Sequence, residues 1–191
     1  MQNEPIIVVS GLPRSGTSMM MSMLVAGGIP AMTDSIRAAD EDNPRGYFEL
    51  EKVKGLAKDN RWLAEAGGRA VKIISALLKH LPADYRYKVI FMRREMSEVL
   101  ASQQQMLIRR GEPTDTVSDE RMAEMFRKHL ADVESWLAKQ PNIEVTYANY
   151  NRMLDAPAAS IETINRFLGG QLDTAAMSAV VDKALHRQRA S

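Results

Sequence analysis

Eight residues near the N-terminus constrain this chain more than any others: Gly11-Leu12-Pro13-Arg14-Ser15-Gly16-Thr17-Ser18. The apolar run Pro5-Ile6-Ile7-Val8-Val9 stands immediately before them. A helix-forming run from Met19 to Ala26 follows and stops at Gly27-Gly28. Strand, glycine-bounded loop and helix, in that order, make a cradle for an anion. The loop N–H groups and the helix N-terminus converge on one point, and the helix dipole adds a favourable field. Gly11 and Gly16 allow the dihedrals and the close backbone approach that such a cradle needs.

Loops that hold nucleoside triphosphates read G-x-x-x-x-G-K-[ST]. Here Thr17 occupies the Lys position, and the cation sits inside the loop at Arg14. That exchange argues against ATP or GTP turnover. A guanidinium at Arg14 can fork two oxygens of a phosphate or sulfonate group instead. Two other readings stay open: a small-molecule kinase with Mg²⁺-dependent ATP binding, and a nucleotide-binding module without chemistry.

The remainder of the chain alternates strand and helix patterns. After the first helix, Ile29-Pro30-Ala31-Met32 reads as a short strand or extended turn, and Asn43-Pro44-Arg45-Gly46 has strong turn chemistry. A helical region is expected from there to Ala66, ended by Gly67-Gly68. Arg69 to Ile74 reads as a buried strand carrying one cation, Lys72, and Ser75 to Leu81 as a short helix stopped by Pro82. Tyr87 to Met92 is a β-branched, apolar strand, followed by a helix from Met96 to Arg110. Residues 111–117 form a candidate lid loop. Ser118 caps a helix whose stripe Met122, Met125, Phe126, Leu130, Val133, Trp136 and Leu137 is expected in the core. Asn142 to Tyr147 is a further strand. Asp155 and Pro157 open a helix that closes at Gly169-Gly170, and a last helix is expected from Asp173.

This alternation implies an α/β fold: one three-layer domain of the P-loop type over 1–191, with a mainly parallel central sheet flanked by helices. The length, 191 residues with 45% apolar and 26% charged side chains, supports one core of ordinary size. A net charge of +1 gives no global attraction for nucleic acid, so anion binding must be local. Cysteine is absent, which removes disulfides and thiolate metal sites. No apolar run approaches ~18 residues and no leader pattern precedes Pro5. A soluble, cytoplasmic protein without membrane partners is therefore expected. The oligomeric state is not encoded legibly.

In a parallel sheet, ligands bind beyond the carboxyl ends of the strands. The loop at 11–18, the turn after Met92 and the turn after Tyr147 all lie at such ends. Arg94 ends one strand, and Ser102 lies eight residues on, two turns into the next helix. An Arg supplies charge and a fork, a Ser a directed donor. Lys72 on an apolar strand needs water or an anion for its ammonium.

Pro13-Arg14-Ser15-Gly16-Thr17-Ser18 resembles the 5′-phosphosulfate-binding loop of the sulfotransferases, which use 3′-phosphoadenosine 5′-phosphosulfate (PAPS) as sulfuryl donor. Arg94 and Ser102 resemble the 3′-phosphate site of that family, although Glu95-Met96 replaces its usual Asn-Pro or Asp-Pro. Lys72 matches the Lys that contacts the donor sulfate. Tyr147 matches the Tyr of a Tyr-Glu-Asp segment near the adenine, with Ala148-Asn149 replacing the acidic pair. The resemblance runs from residue 5 to about 170. It implies in-line transfer to a hydroxyl or amine of a small-molecule or sugar acceptor, with 3′,5′-adenosine bisphosphate as product. It also implies no metal, because Arg14, Lys72 and the loop N–H groups would do what Mg²⁺ does for ATP. The family uses His or Glu as general base. His80, His129 and His186 are poorly placed for that, none ending a strand. Glu49 is the candidate base, standing among Tyr47, Phe48 and Leu50, with Asp34 and Glu41 as alternatives. The loops at 34–48 and 111–117 would form the acceptor pocket.

Overall fold

Strand β1, Ile6–Gly11, is buried along its whole length. Ile7 and Val9 point into one apolar cluster, and Ile6 and Val8 into the other. A strand covered on both faces needs apolar residues at both parities, and this one has them. The computed structural model describes residues 4–34, 48–114 and 116–182. Three further strands, β2 (Ala70–Lys72), β3 (Tyr87–Arg93) and β4 (Ile143–Asn149), complete a sheet in the order β2-β1-β3-β4. All three pairings are parallel, with Val9 opposite Lys72 and Ile90, and Phe91 opposite Tyr147. The carboxyl ends of all four strands therefore face one way.

Helices cover both faces. On one side lie α1 (Thr17–Ala26), α4 (Tyr150–Asp155), α5 (Pro157–Phe167) and α6 (Thr174–Val180). They contribute Met20, Met23, Met153, Ile161, Ile164 and Met177 to the first cluster. On the other side lie short 3₁₀ helices and α3 (Asp119–Leu137), which bring Val53, Trp62, Leu63, Leu78 and Leu137 to the second. The α2 helix, Met96–Arg110, follows β3 directly. The three-layer α/β architecture expected from the strand and helix alternation is present.

Several elements differ from the sequence expectation. The helical region before Gly67 breaks into two 3₁₀ turns, Glu51–Gly55 and Arg61–Glu65. Gly55 lowers helix propensity between them, and the Asp59 carboxylate takes the Arg61 N–H at 3.1 Å, a local bond that competes with a continuous helix. Ser75–His80 is likewise 3₁₀. The strand expected over 69–74 narrows to Ala70–Lys72, and the segment at 29–32 contributes a single bridge, Ala31 with Ala70. The α3 stripe is only partly core: Leu137 is buried, whereas Met125 is 51% exposed. A short helix, α4, was not expected; Asn149 caps it by accepting from the Arg152 N–H at 2.9 Å. Asp155 thus ends α4 and does not cap α5, whose cap position is Ala156.

The last helix is tied to the first. Met177 is fully buried in the first cluster, and its side chain lies against Gly27 so closely that a Cβ there would meet it at 2.9 Å. Met177→Ala is therefore expected to lower unfolding free energy by ~2–5 kcal/mol, and Met177→Leu by less than ~1.5 kcal/mol. Urea denaturation of the two variants checks both.

Candidate functional site

The loop between β1 and α1 takes its shape from three left-handed residues. Gly11 has φ 146°, Arg14 φ 69° and Gly16 φ 94°. A Cβ at Gly11 would lie 2.7 Å from the Met92 carbonyl oxygen, and one at Gly16 would lie 2.4 Å from the Tyr150 ring. Both glycines are required by close approach as well as by dihedral. The Ser15 hydroxyl donates to the Leu12 carbonyl at 2.7 Å and its N–H donates to the same oxygen at 3.2 Å, so Ser15 braces the loop from inside. Pro13 is exposed at the loop tip. Gly16 occupies the cap position of α1, no side chain among the described residues caps that helix, and no acidic residue lies in its first turn. The positive end of α1, with Thr17 and Ser18 on it, is of the kind that favours an anion.

Lys72 ends β2 beside this helix start. Its side chain is only 9% exposed, and Nζ lies 3.4 Å from Ser18 Oγ and 3.8 Å from Glu49 Oε1. A loop hydroxyl, a cation and a carboxylate thus stand in a row, three residues that the sequence alone could not join. The Glu49 segment is held by its own carbonyl, which accepts from Thr33 Oγ1 at 2.9 Å and from the Asp34 N–H at 3.3 Å. The Asp34 carboxylate accepts from the Glu51 N–H, so it secures the backbone around Glu49. Glu41 and most of the loop expected at 34–48 lie outside the described residues.

Arg94 forms the second centre. Its side chain is 7% exposed, and Nε donates to Glu98 Oε2 at 2.8 Å. Glu98, 2% exposed, also accepts from Asn151 Nδ2 at 2.9 Å. The Arg94 guanidinium stacks 4.5 Å from the Tyr150 ring centre, and Nη1 donates to the Arg14 carbonyl at 3.0 Å. Arg14 in turn sends Nε to Ser102 Oγ at 2.9 Å. Its guanidinium therefore reaches the Arg94/Ser102 centre. Glu95-Met96 still opens α2 cleanly and leaves Arg94 and Ser102 in register. Tyr150, whose phenol is pushed up by burial, Asn151 and Glu98 are the residues that sequence reasoning missed. Only the i,i+4 spacing of Arg94 and Glu98 hinted at them.

Arg93, next to Arg94 in the chain, points elsewhere: it pairs with Glu134 at 2.6 Å and lies 4.1 Å over the Tyr147 ring. Tyr147 is 43% exposed and borders an open groove of about 520 Å³ with Asn149, Arg152 and Thr163. His129 Nε2 is 2.8 Å from the buried Ser75 hydroxyl. His80 ends its 3₁₀ helix, and His186 lies outside the described residues. Among the described residues no helix is long and apolar enough to cross a membrane.

Among the solved structures that share this fold are two sulfotransferases. The sulfotransferase domain of an olefin synthase from Synechococcus PCC 7002 superposes with a TM-score of 0.57 at 15% identity, covering 100% of this chain and 82% of that one. Mouse sulfotransferase SULT7A1, solved in complex with PAP, gives 0.53 at 18% identity, covering 100% and 68%. No curated protein matches the chain. The family model for the sulfotransferase domain matches residues 4–188, and with that match the chain belongs to the sulfotransferase domain family.

Proposed function

We propose that this chain moves a sulfuryl group from PAPS to a hydroxyl or amine of a small-molecule or sugar acceptor. One observation carries the reading: the loop at 11–18 and the Arg94/Ser102 centre touch directly, through Arg94 Nη1 on the Arg14 carbonyl and Arg14 Nε on Ser102 Oγ. A nucleotide with anionic groups on both the 5′ and 3′ oxygens of one ribose needs two such centres side by side. The uncapped, acid-free start of α1 fits the 5′ end, and the mouse neighbour with PAP bound shares the fold.

In this reading the donor supplies a sulfuryl group on a good leaving phosphate. Its sulfur–oxygen bond breaks as the acceptor forms a new bond to sulfur. The N–H groups at the start of α1 and the Lys72 ammonium hold charge that develops on the leaving and equatorial oxygens. Lys72 is suited to this because its side chain is nearly buried, where a cation interacts more strongly than in water. Glu49 takes the acceptor proton; at 34% side-chain exposure it can also pass that proton to solvent. Tyr147 is proposed to border the adenine, beside the groove that it lines.

Glu98 keeps Arg94 aimed. A carboxylate this buried is tolerated because it is satisfied by donors, among them Arg94 Nε and Asn151 Nδ2. Removing it takes from the buried guanidinium the carboxylate that Nε meets at 2.8 Å. Glu98→Ala should therefore cost ~3–5 kcal/mol of stability and release Arg94 from the Arg14 carbonyl. Thermal and urea unfolding test the first effect, and weakened bisphosphate binding tests the second.

The donor site itself is tested by calorimetry with 3′,5′-adenosine bisphosphate, beside ATP with Mg²⁺. Metal-independent binding of the bisphosphate is expected, weakened by ~1.5–3 kcal/mol in Arg94→Ala, the range of a charged hydrogen bond. ATP·Mg²⁺ bound in preference to the bisphosphate would overturn the reading and favour a kinase. Once an acceptor is found by screening labelled donor against phenols, alcohols, amines and sugars, Glu49→Gln should retain bisphosphate affinity and lose ~10²–10⁴-fold in turnover. Unchanged turnover would remove Glu49 as the base.

A further inference from the structure

We propose that Phe48 is a positioning residue that holds the Glu49 carboxylate toward Lys72. The inference rests on the reading of Glu49 as the base, and it names the residue through which the fold would aim that base. Among the described residues only Arg14 and Phe48 are non-glycine residues at positive φ. Phe48 has φ 48°, a left-handed conformation in which a bulky side chain persists only where its surroundings enforce it. The ring itself is part of that enforcement: it is half-buried against the cluster that holds Met20, Met23 and Met153. Leu50, two residues on, packs against the other cluster, the one that holds Val53 and Leu63.

An extended chain puts residues i and i+2 on one side. Leu50 is extended, at φ −128° and ψ 116°. The left-handed turn at Phe48 breaks the alternation, so the two apolar side chains enter opposite layers of the domain with Glu49 between them. The crossing falls beside the end of β2, an outer strand of the sheet, where Glu49 Oε1 lies 3.8 Å from Lys72 Nζ. On its carbonyl side Glu49 is fixed by Thr33 Oγ1, which donates to it at 2.9 Å, and by the Glu51 N–H on the Asp34 carboxylate. On its amino side the buried ring of Phe48 does the same work. An ion pair with a carboxylate 34% exposed is weak by itself, so its geometry depends on the backbone that presents it. Pinning that backbone on both sides removes freedom that Glu49 would otherwise lose on meeting Lys72.

The test uses the full chain and needs no acceptor. Urea unfolding of Glu49→Gln, of Lys72→Met and of the two combined reads the coupling between these side chains. It is measured in the wild-type background, in Phe48→Gly and in Phe48→Leu. Glycine accepts the left-handed φ and removes the anchor, whereas leucine keeps an apolar anchor. In the wild type the double variant should lose less stability than the sum of the singles. That shortfall should vanish in Phe48→Gly and return in Phe48→Leu. Phe48→Asn, which also tolerates positive φ, supplies the same comparison if the glycine variant does not fold. A shortfall that persists in Phe48→Gly, or that is absent from the wild type, would overturn the inference. With an acceptor in hand, Phe48→Gly should lower kcat towards that of Glu49→Gln and keep the affinity for 3′,5′-adenosine bisphosphate. Combined with Glu49→Gln it should cost nothing further, and additive losses would count against the inference. A Glu49→Gln variant with full turnover would overturn the base reading alone, since the coupling still reports whether Phe48 aims the carboxylate.

Discussion

Arg94 is held at Nε by a buried carboxylate and at Nη1 by the carbonyl of Arg14, and this bridge ties the end of β3 to the loop after β1. The loop cannot take its shape alone. Of its three residues at positive φ one is an arginine, and a non-glycine residue persists in that conformation only against surroundings that fix it. Those surroundings are partly Tyr150, whose ring closes over Gly16, and partly Arg94, which stacks on that same ring. Glu98 underlies the whole arrangement because it fixes Arg94 and, through Asn151, the start of α4 as well. Three elements that are distant in sequence are thereby locked around one loop.

The parallel sheet makes that lock possible. With order β2-β1-β3-β4 and every pairing parallel, the four carboxyl ends deliver Lys72, the loop at 11–18, Arg94 and Tyr147 to one edge of the domain. β1 is central and carries the loop, with β2 on one side and β3 on the other. The cation from β2 and the cation from β3 consequently approach the loop from opposite flanks. That arrangement, more than any single residue, separates the site into two charged ends.

The sequence made some of this legible and concealed the remainder for physical reasons. Strand β1, the loop and α1 were readable because their glycines, their apolar run and their hydroxyls all agree on one conformation. Helix α2, with Ser102 on it, was readable because its start follows directly on the apolar strand that ends beside Arg94. The 3₁₀ turns around Gly55 were not, since a local Asp59 to Arg61 bond decided between helix and turn. Glu98 was hidden because an acidic residue in a first helical turn has the same pattern whether it is exposed or buried. The direction of the Arg14 side chain was hidden too. It depends on a left-handed φ that a glycine advertises in sequence and an arginine does not.

The two ends differ in wetness as well as in charge, and the difference would suit the tasks proposed for them. Arg94 and Glu98 are almost wholly buried, with 7% and 2% side-chain exposure. A buried ion pair of this kind contributes little net stability, because desolvating both charges offsets their attraction. What it contributes is a fixed direction for the guanidinium. Glu49 is 34% exposed beside a Lys72 that is 9% exposed. A carboxylate that must take up a proton and release it needs water within reach, while the cation next to it acts best where water is scarce. Rigidity is concentrated where a nucleotide would be recognised, and solvent access where a proton would have to leave.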